Sequence, residues 1–186
     1  MFSKIRFQLT TLMLFLVSSQ SFSNELLLSA DKIAVEDGDT LLITFDDAVK
    51  RVQLLDIDAP ENTENAKFKV DMQCTGLDHD TLYAMGTIAA DYLAKLLAKG
   101  HSYKLIYQAE RHDRYGRLLG ELMDQAGVSI SKKMIVDGYA IANPSQKLDA
   151  PHPYEALQLQ AAEKKMGLWG LLPKQTYLWS GGVSAQ

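Results

Sequence analysis

The chain has 186 residues, 47% apolar and 23% charged, with 23 acidic against 19 basic side chains and a net charge of −4. That length suits one domain with a sizeable apolar core, and the acidity excludes a protein that coats nucleic acid with a generally cationic surface. The single cysteine, Cys74, excludes an intramolecular disulfide and a cysteine zinc site.

Residues 1–23 read as a signal peptide. Lys4 and Arg6 precede the apolar run Leu9 to Val17, and Ser21-Phe22-Ser23 has the small-x-small form of a cleavage site. The run is short of the roughly 20 residues a membrane span needs. Residues 24–186 then form a single domain. Removing the leader takes away two basic and no acidic residues, which leaves 163 residues at −6. Export, to the periplasm or the medium, places Cys74 in an oxidising compartment. The thiol is either buried or available for an intermolecular bridge, and burial is the favoured expectation, since free cysteine is among the most buried residue types.

Strands are predicted over Ile33–Glu36, Leu41–Phe45 and Val49–Leu55, where apolar residues alternate. Asp37-Gly38-Asp39 reads as a tight reversal that uses a positive φ, and Asp46-Asp47-Ala48 as a second turn. Pro60 ends the third strand. Residues Asn62 to Asp80 are polar and irregular and read as a long loop. A helix is predicted from Leu82 to Lys99, with apolar residues at helical spacing and Gly100 as its stop. Further strands cover Tyr103–Tyr107 and Leu118–Met123. A short helix covers Ser131–Val136, and a last helix runs from Pro153 to Met166 with His152 or Asp149 as its cap and Gly167 as its end. Five short strands and three helices fit an α+β, β-rich fold: a five-stranded barrel of the oligonucleotide-binding (OB) type.

Three segments carry chemistry: Asp37-Gly38-Asp39-Thr40, Asp58-Ala59-Pro60-Glu61 and Asp113-Arg114-Tyr115-Gly116-Arg117. Asp39 and Asp58, with a backbone carbonyl nearby, make an all-oxygen set of the kind that Ca²⁺ prefers. Glu61 adds a general base for a water. Arg117 can grip a phosphate with two parallel hydrogen bonds. A divalent cation, a base and an arginine suffice for phosphodiester hydrolysis.

In order and spacing, these segments and Gly167-Leu168-Trp169 resemble the thermonuclease family of staphylococcal-nuclease-like domains, over roughly Ile33 to Trp169. The resemblance implies Asp39, Asp58 and the Ala59 carbonyl as calcium ligands, Glu61 as general base and Arg117 as one of two catalytic arginines. It also sets Arg114 and Tyr115 against the nucleotide. The second arginine is absent, because its position is Gln53, which is neutral and offers no charged fork. Arg51 lies two residues earlier on the same strand face. Either it substitutes in part or it is an ordinary exposed strand residue. Asp56 stands where the family has a small or apolar residue. It either adds charge to the metal site, repels phosphate or is a solvated strand end. Stacking tyrosines are missing from Ala142-Asn143-Pro144-Ser145, with Tyr154 or Tyr139 as substitutes and Tyr139 better suited to the core.

The leading expectation is therefore an exported, monomeric, Ca²⁺-dependent endonuclease of single-stranded DNA or RNA, without stable membrane association. Gln53 motivates a second reading, an OB-fold nucleic-acid-binding module impaired in catalysis. The acidity alone motivates a third, a periplasmic interaction domain with no nucleic-acid role.

Overall fold

The computed structural model describes residues 23–97, 100–143 and 152–182. The predicted signal peptide, apart from Ser23, lies outside them, as do Pro144, Ser145 and Asp149. Among the described residues the order is β1 (Asn24–Ser29), β2 (Ile33–Val35), β3 (Thr40–Phe45), β4 (Ala48–Leu54), β5 (Ile57–Asp58), α1 (Ala66–Thr75) and α2 (His79–Leu96). Then come β6 (Ser102–His112), β7 (Leu118–Met123), α3 (Ile130–Val136), β8 (Ile141–Ala142), α4 (Glu155–Glu163), α5 (Gly167–Leu171) and α6 (Pro173–Trp179).

The six-stranded sheet runs β1-β6-β7-β4-β3-β2 and curls into a half-barrel, while β5 and β8 pair separately. The α+β, OB-like class is as expected, with more elements than the five strands and three helices predicted. The additions have weak sequence signals. In β1, three consecutive leucines hide the alternation, and β5 and β8 are two residues each, too short to show a period.

Helix α1 corrects the long-loop reading of residues 62–80. Its sequence carries no apolar stripe, and Phe68 is its one fully buried residue. Asn65 caps it, its side chain accepting from Phe68 N–H at 2.9 Å. Cys74 is exposed on this helix, which overturns the expected burial, because α1 turns Phe68 and Met72 inward instead. Gly167 opens α5 rather than merely ending α4, and Leu168 and Trp169 are buried there.

Alternation builds the half-barrel. In β3, Leu41, Ile43 and Phe45 face inward, and in β7, Leu118 and Leu122 do so. These side chains pack on Ala89 and Leu93 of α2 and on Ile130, Met134 and Ile135 of α3. A second apolar cluster joins Phe68, Leu82, Met85, Leu168, Trp169 and Trp179 of the helical layer. Tyr139 stacks on Tyr92 with ring centroids 3.8 Å apart, which makes it a packing residue. Asp46, Asp47 and Asp56 hold φ values of 50°, 54° and 66°. Aspartate tolerates this left-handed region better than most residues, so the corner between β4 and β5 explains Asp56. Among the described residues, no helix is long and apolar enough to cross a membrane.

Candidate active site

The first wall of the site is the turn from β2 into β3. Asp37 Oδ1 accepts the backbone N–H groups of Asp39 at 2.9 Å and of Thr40 at 2.6 Å. The turn closes through this carboxylate, and Gly38 is outside the left-handed region, contrary to the expected positive φ. Glycine is required there for space: a Cβ would lie 2.6 Å from Ala59 Cβ and 2.8 Å from Ala89 Cβ. The turn is thereby pressed against the second wall. Asp39 is buried and its Oδ2 accepts the Ala59 N–H at 2.9 Å, tying the two acidic segments together.

The second wall is β5 and the strand end after it. Asp58 is partly exposed, Glu61 is buried, and Glu61 Oε2 accepts from Asn65 Nδ2 at 2.6 Å. Gly86 of α2 sits directly behind Glu61. A Cβ at Gly86 would overlap the Glu61 carbonyl and the following peptide. Between these oxygens lies the ammonium of Lys67, from the first turn of α1. Its Nζ is 3.3 Å from Asp58 Oδ1, 3.3 Å from the Ala59 carbonyl, 3.6 Å from Glu61 Oε1 and 2.9 Å from Asp71 Oδ2.

The third wall is the turn before β7. Asp113 Oδ1 accepts the N–H groups of Tyr115 and Arg117, and Gly116 takes φ 77° to close the turn. The parallel pairing of Gln53 with Leu119 brings this turn beside β4 and β3. Arg117 is mostly buried. Its Nε donates to Asp113 Oδ2 at 2.7 Å and its Nη1 to Thr40 Oγ1 at 2.7 Å, with Asp39 Oδ1 3.8 Å away. The guanidinium carbons of Arg114 and Arg117 lie 4.8 Å and 5.4 Å from the exposed Tyr115 ring.

Asp39, Asp58, Ala59, Glu61 and Arg117 are thus gathered at one rim, with Arg114 and Tyr115 at its edge. Gln53 is buried there, its Oε1 3.4 Å from Thr40 Oγ1. Arg51 is on the same strand but forms a two-pronged pair with Glu36, at 2.7 and 2.8 Å. It lines a groove of about 400 Å³ with Lys50, Tyr107, His112 and Gly116. Tyr154 goes elsewhere: its hydroxyl is 3.4 Å from Ser129 Oγ and its ring lies against His152. Lys67, Asn65, Asp71 and Gly86 are the site residues that sequence reasoning missed, while Thr40 belongs to a segment it singles out but has no role assigned there. Of the four missed residues, Gly86 alone carried a signal, as a glycine inside a strong helical pattern.

Burial governs the electrostatics. It pushes Asp37 up to about 7, helped by the adjacent Asp39 charge. It raises Asp39 and Asp58 as well, and each is opposed by Lys67. Glu61 is raised by burial and only partly brought back by Lys67. For Lys67 itself, burial works against the charge, but Asp58, Asp71, Glu61 and Asp39 together outweigh it and hold the ammonium protonated. Burial likewise opposes the ionised Asp113, yet the Arg117 hydrogen bond and charge keep it below the ordinary value.

The donor set is all oxygen, the kind a hard cation takes: carboxylate and carbonyl oxygens surround one positively charged atom, Lys67 Nζ. Among the described residues, no ready-made cluster of three or more acidic, histidine or cysteine side chains forms a metal cage by itself.

The α+β half-barrel is consistent with the fold of the resembled family. The family described as staphylococcal nuclease homologue matches residues 51–170, and the chain belongs to it. The chain is 27% identical to an uncharacterized endonuclease of Escherichia coli O157:H7, over 79% of this chain and 81% of that protein. It is also 27% identical to endonuclease YhcR of Bacillus subtilis over 73% of this chain, but it spans only 11% of that protein's length. An uncharacterized Bacillus anthracis protein is 31% identical over 74% of this chain and 58% of its own length. Family membership and the relatives' names support a nuclease-type hydrolase at the family level, and the family implies nucleic acid as the substrate class.

Proposed function

We propose that the mature chain is an exported Ca²⁺-dependent endonuclease that hydrolyses phosphodiester bonds of single-stranded DNA or RNA. The observation that carries this is the chain of contacts that links Arg117 to Thr40 and Asp39, and Asp39 to Ala59 in the segment that carries Glu61. Asn65 fixes Oε2 of Glu61. Oε1 faces Lys67 at 3.6 Å, too long for a strong hydrogen bond, so it can accept a water proton. The water oxygen attacks phosphorus, one proton passes to Glu61, and the ester P–O bond breaks as its departing oxygen takes up a proton from solvent. Nε and Nη1 of Arg117 are committed to Asp113 and Thr40. Its Nη2 makes no hydrogen bond among the described residues and can donate to the charge that builds on phosphate. Ca²⁺ held by Asp39, Asp58 and the Ala59 carbonyl would supply Lewis-acid polarisation of the phosphoryl group. The stacked Arg114–Tyr115 pair offers a face for a base, and such stacking contributes about 1–3 kcal/mol per base.

Gln53 and Arg51 favour the second reading, a binding module impaired in catalysis. Gln53 is neutral, and Arg51 is already paired with Glu36. One assay separates the two: cleavage of single-stranded DNA and RNA with Ca²⁺, then with chelator. The enzyme reading expects chelator-sensitive cleavage that falls about 10²–10⁴-fold in Glu61→Gln. Binding without cleavage selects the module. Export is tested by locating the mature protein and sequencing its N-terminus, which is expected just after Ser23.

A further inference from the structure

We infer that the Lys67 ammonium is a tethered occupant of the cation position, competing with a divalent ion for Asp58, the Ala59 carbonyl and Glu61. The inference rests on the Ca²⁺ reading above and assigns a role to α1, which that reading does not use. Lys67 Nζ shares three of its four oxygen neighbours with the proposed catalytic centre. Calcium takes its oxygens at about 2.3–2.6 Å. An ion on Asp58 and the Ala59 carbonyl would share two oxygens with the ammonium and repel it in a site with little water to screen them.

Lys67 is held in place from outside the rim. Asp71, one turn further along α1, accepts from Nζ at 2.9 Å, and the same Oδ2 lies 3.3 Å from Trp179 Nε1. The Trp179 ring centroid is 5.7 Å from Nζ. At the helix start, Asn65 caps α1 and simultaneously donates to Glu61. These ties fix the helix that carries the lysine to the carboxylate that needs a counter-charge. Buried carboxylates require such a partner, and Lys67 supplies it without a bound ion. For a divalent ion to take the shared oxygens, Lys67 has to swing toward Asp71 and Trp179, and metal affinity falls accordingly.

Calorimetric titration of the full mature chain with CaCl₂ tests this in wild type, Lys67→Met and Lys67→Gln, with thermal melts in chelator and in millimolar Ca²⁺. Both variants are expected to bind Ca²⁺ about tenfold or more tightly than wild type, a difference of about 1.4 kcal/mol. Their melting temperatures should be low in chelator and recover with Ca²⁺, while that of wild type hardly moves. Should a variant unfold in chelator, refolding on addition of Ca²⁺ is the expected result, and failure to refold overturns the inference. Equal affinity in wild type and both variants also overturns it, while leaving the Ca²⁺ reading intact if Asp58→Asn abolishes that binding. Absence of Ca²⁺ binding in all three chains overturns both.

Discussion

Glu61 combines burial with a single firm hydrogen bond from Asn65, and burial lifts its carboxyl above the ordinary 4.5. A general base works only when ionised, so acidification removes activity as pH falls through this raised value. The acid limb of the rate profile is therefore expected above pH 4.5, and Glu61→Gln should abolish it along with the rate. Arg51 poses the opposite problem, a charge already spent. Its pair with Glu36 is exposed, and such pairs contribute only about 0–1 kcal/mol. Phosphate can therefore compete for it. If Arg51 assists, Arg51→Ala should slow cleavage of single-stranded DNA, with about 10²–10³-fold as the bound for a full phosphate donor, and Glu36→Gln should leave the rate equal or higher. Unchanged cleavage by Arg51→Ala makes it an ordinary strand residue. The Gln53–Thr40 contact shows why no neutral substitute fills the gap: the glutamine stays within the rim and adds no charge.

Helix α2 illustrates how an element can serve a site without lending it a chemical group. Ala at position 86 would favour the helix by about 1 kcal/mol on propensity alone. The added Cβ meets the Glu61 carbonyl, backbone that has no room to retreat. Gly86→Ala is accordingly expected to lower the melting temperature and, by displacing Glu61, to cut activity as well. A rise in melting temperature with unchanged rate would refute the packing argument. Helix α1 shows the converse, an element of weak amphipathicity that brings Asn65, Lys67 and Asp71 to the carboxylates. Its tertiary role rests on Phe68 and on the partners of its polar face, so a reading of apolar periodicity passes over it.

Across the whole molecule, the local cations are interleaved with carboxylates, as Arg51 with Glu36 and Arg117 with Asp113. Arg114 and Arg117 flank Tyr115, and Lys50 and Arg51 line a groove with Gly116. With about three arginines meeting phosphates, affinity for single strands should fall with salt at a log–log slope near −2. Binding titrations with Glu61→Gln at several salt concentrations check this. A slope several times steeper would mean a broad basic track, which the net charge of −4 does not provide.

The strand alternation, the order of the three acidic and basic segments and the C-terminal Gly-Leu-Trp made the family and the rim residues Asp39, Asp58, Glu61 and Arg117 legible from the sequence. Those signals are local, because each depends on neighbours along one strand or turn. What occupies the rim is not local. Lys67 reaches Asp58 and Ala59 through a capped helix, Arg117 reaches Thr40 across 77 positions, and Gly86 touches Glu61 from another helix. Only the folded chain fixes these distances. It therefore decided that an ammonium stands among the calcium-type oxygens, and that Arg51 faces Glu36 at the edge of the rim.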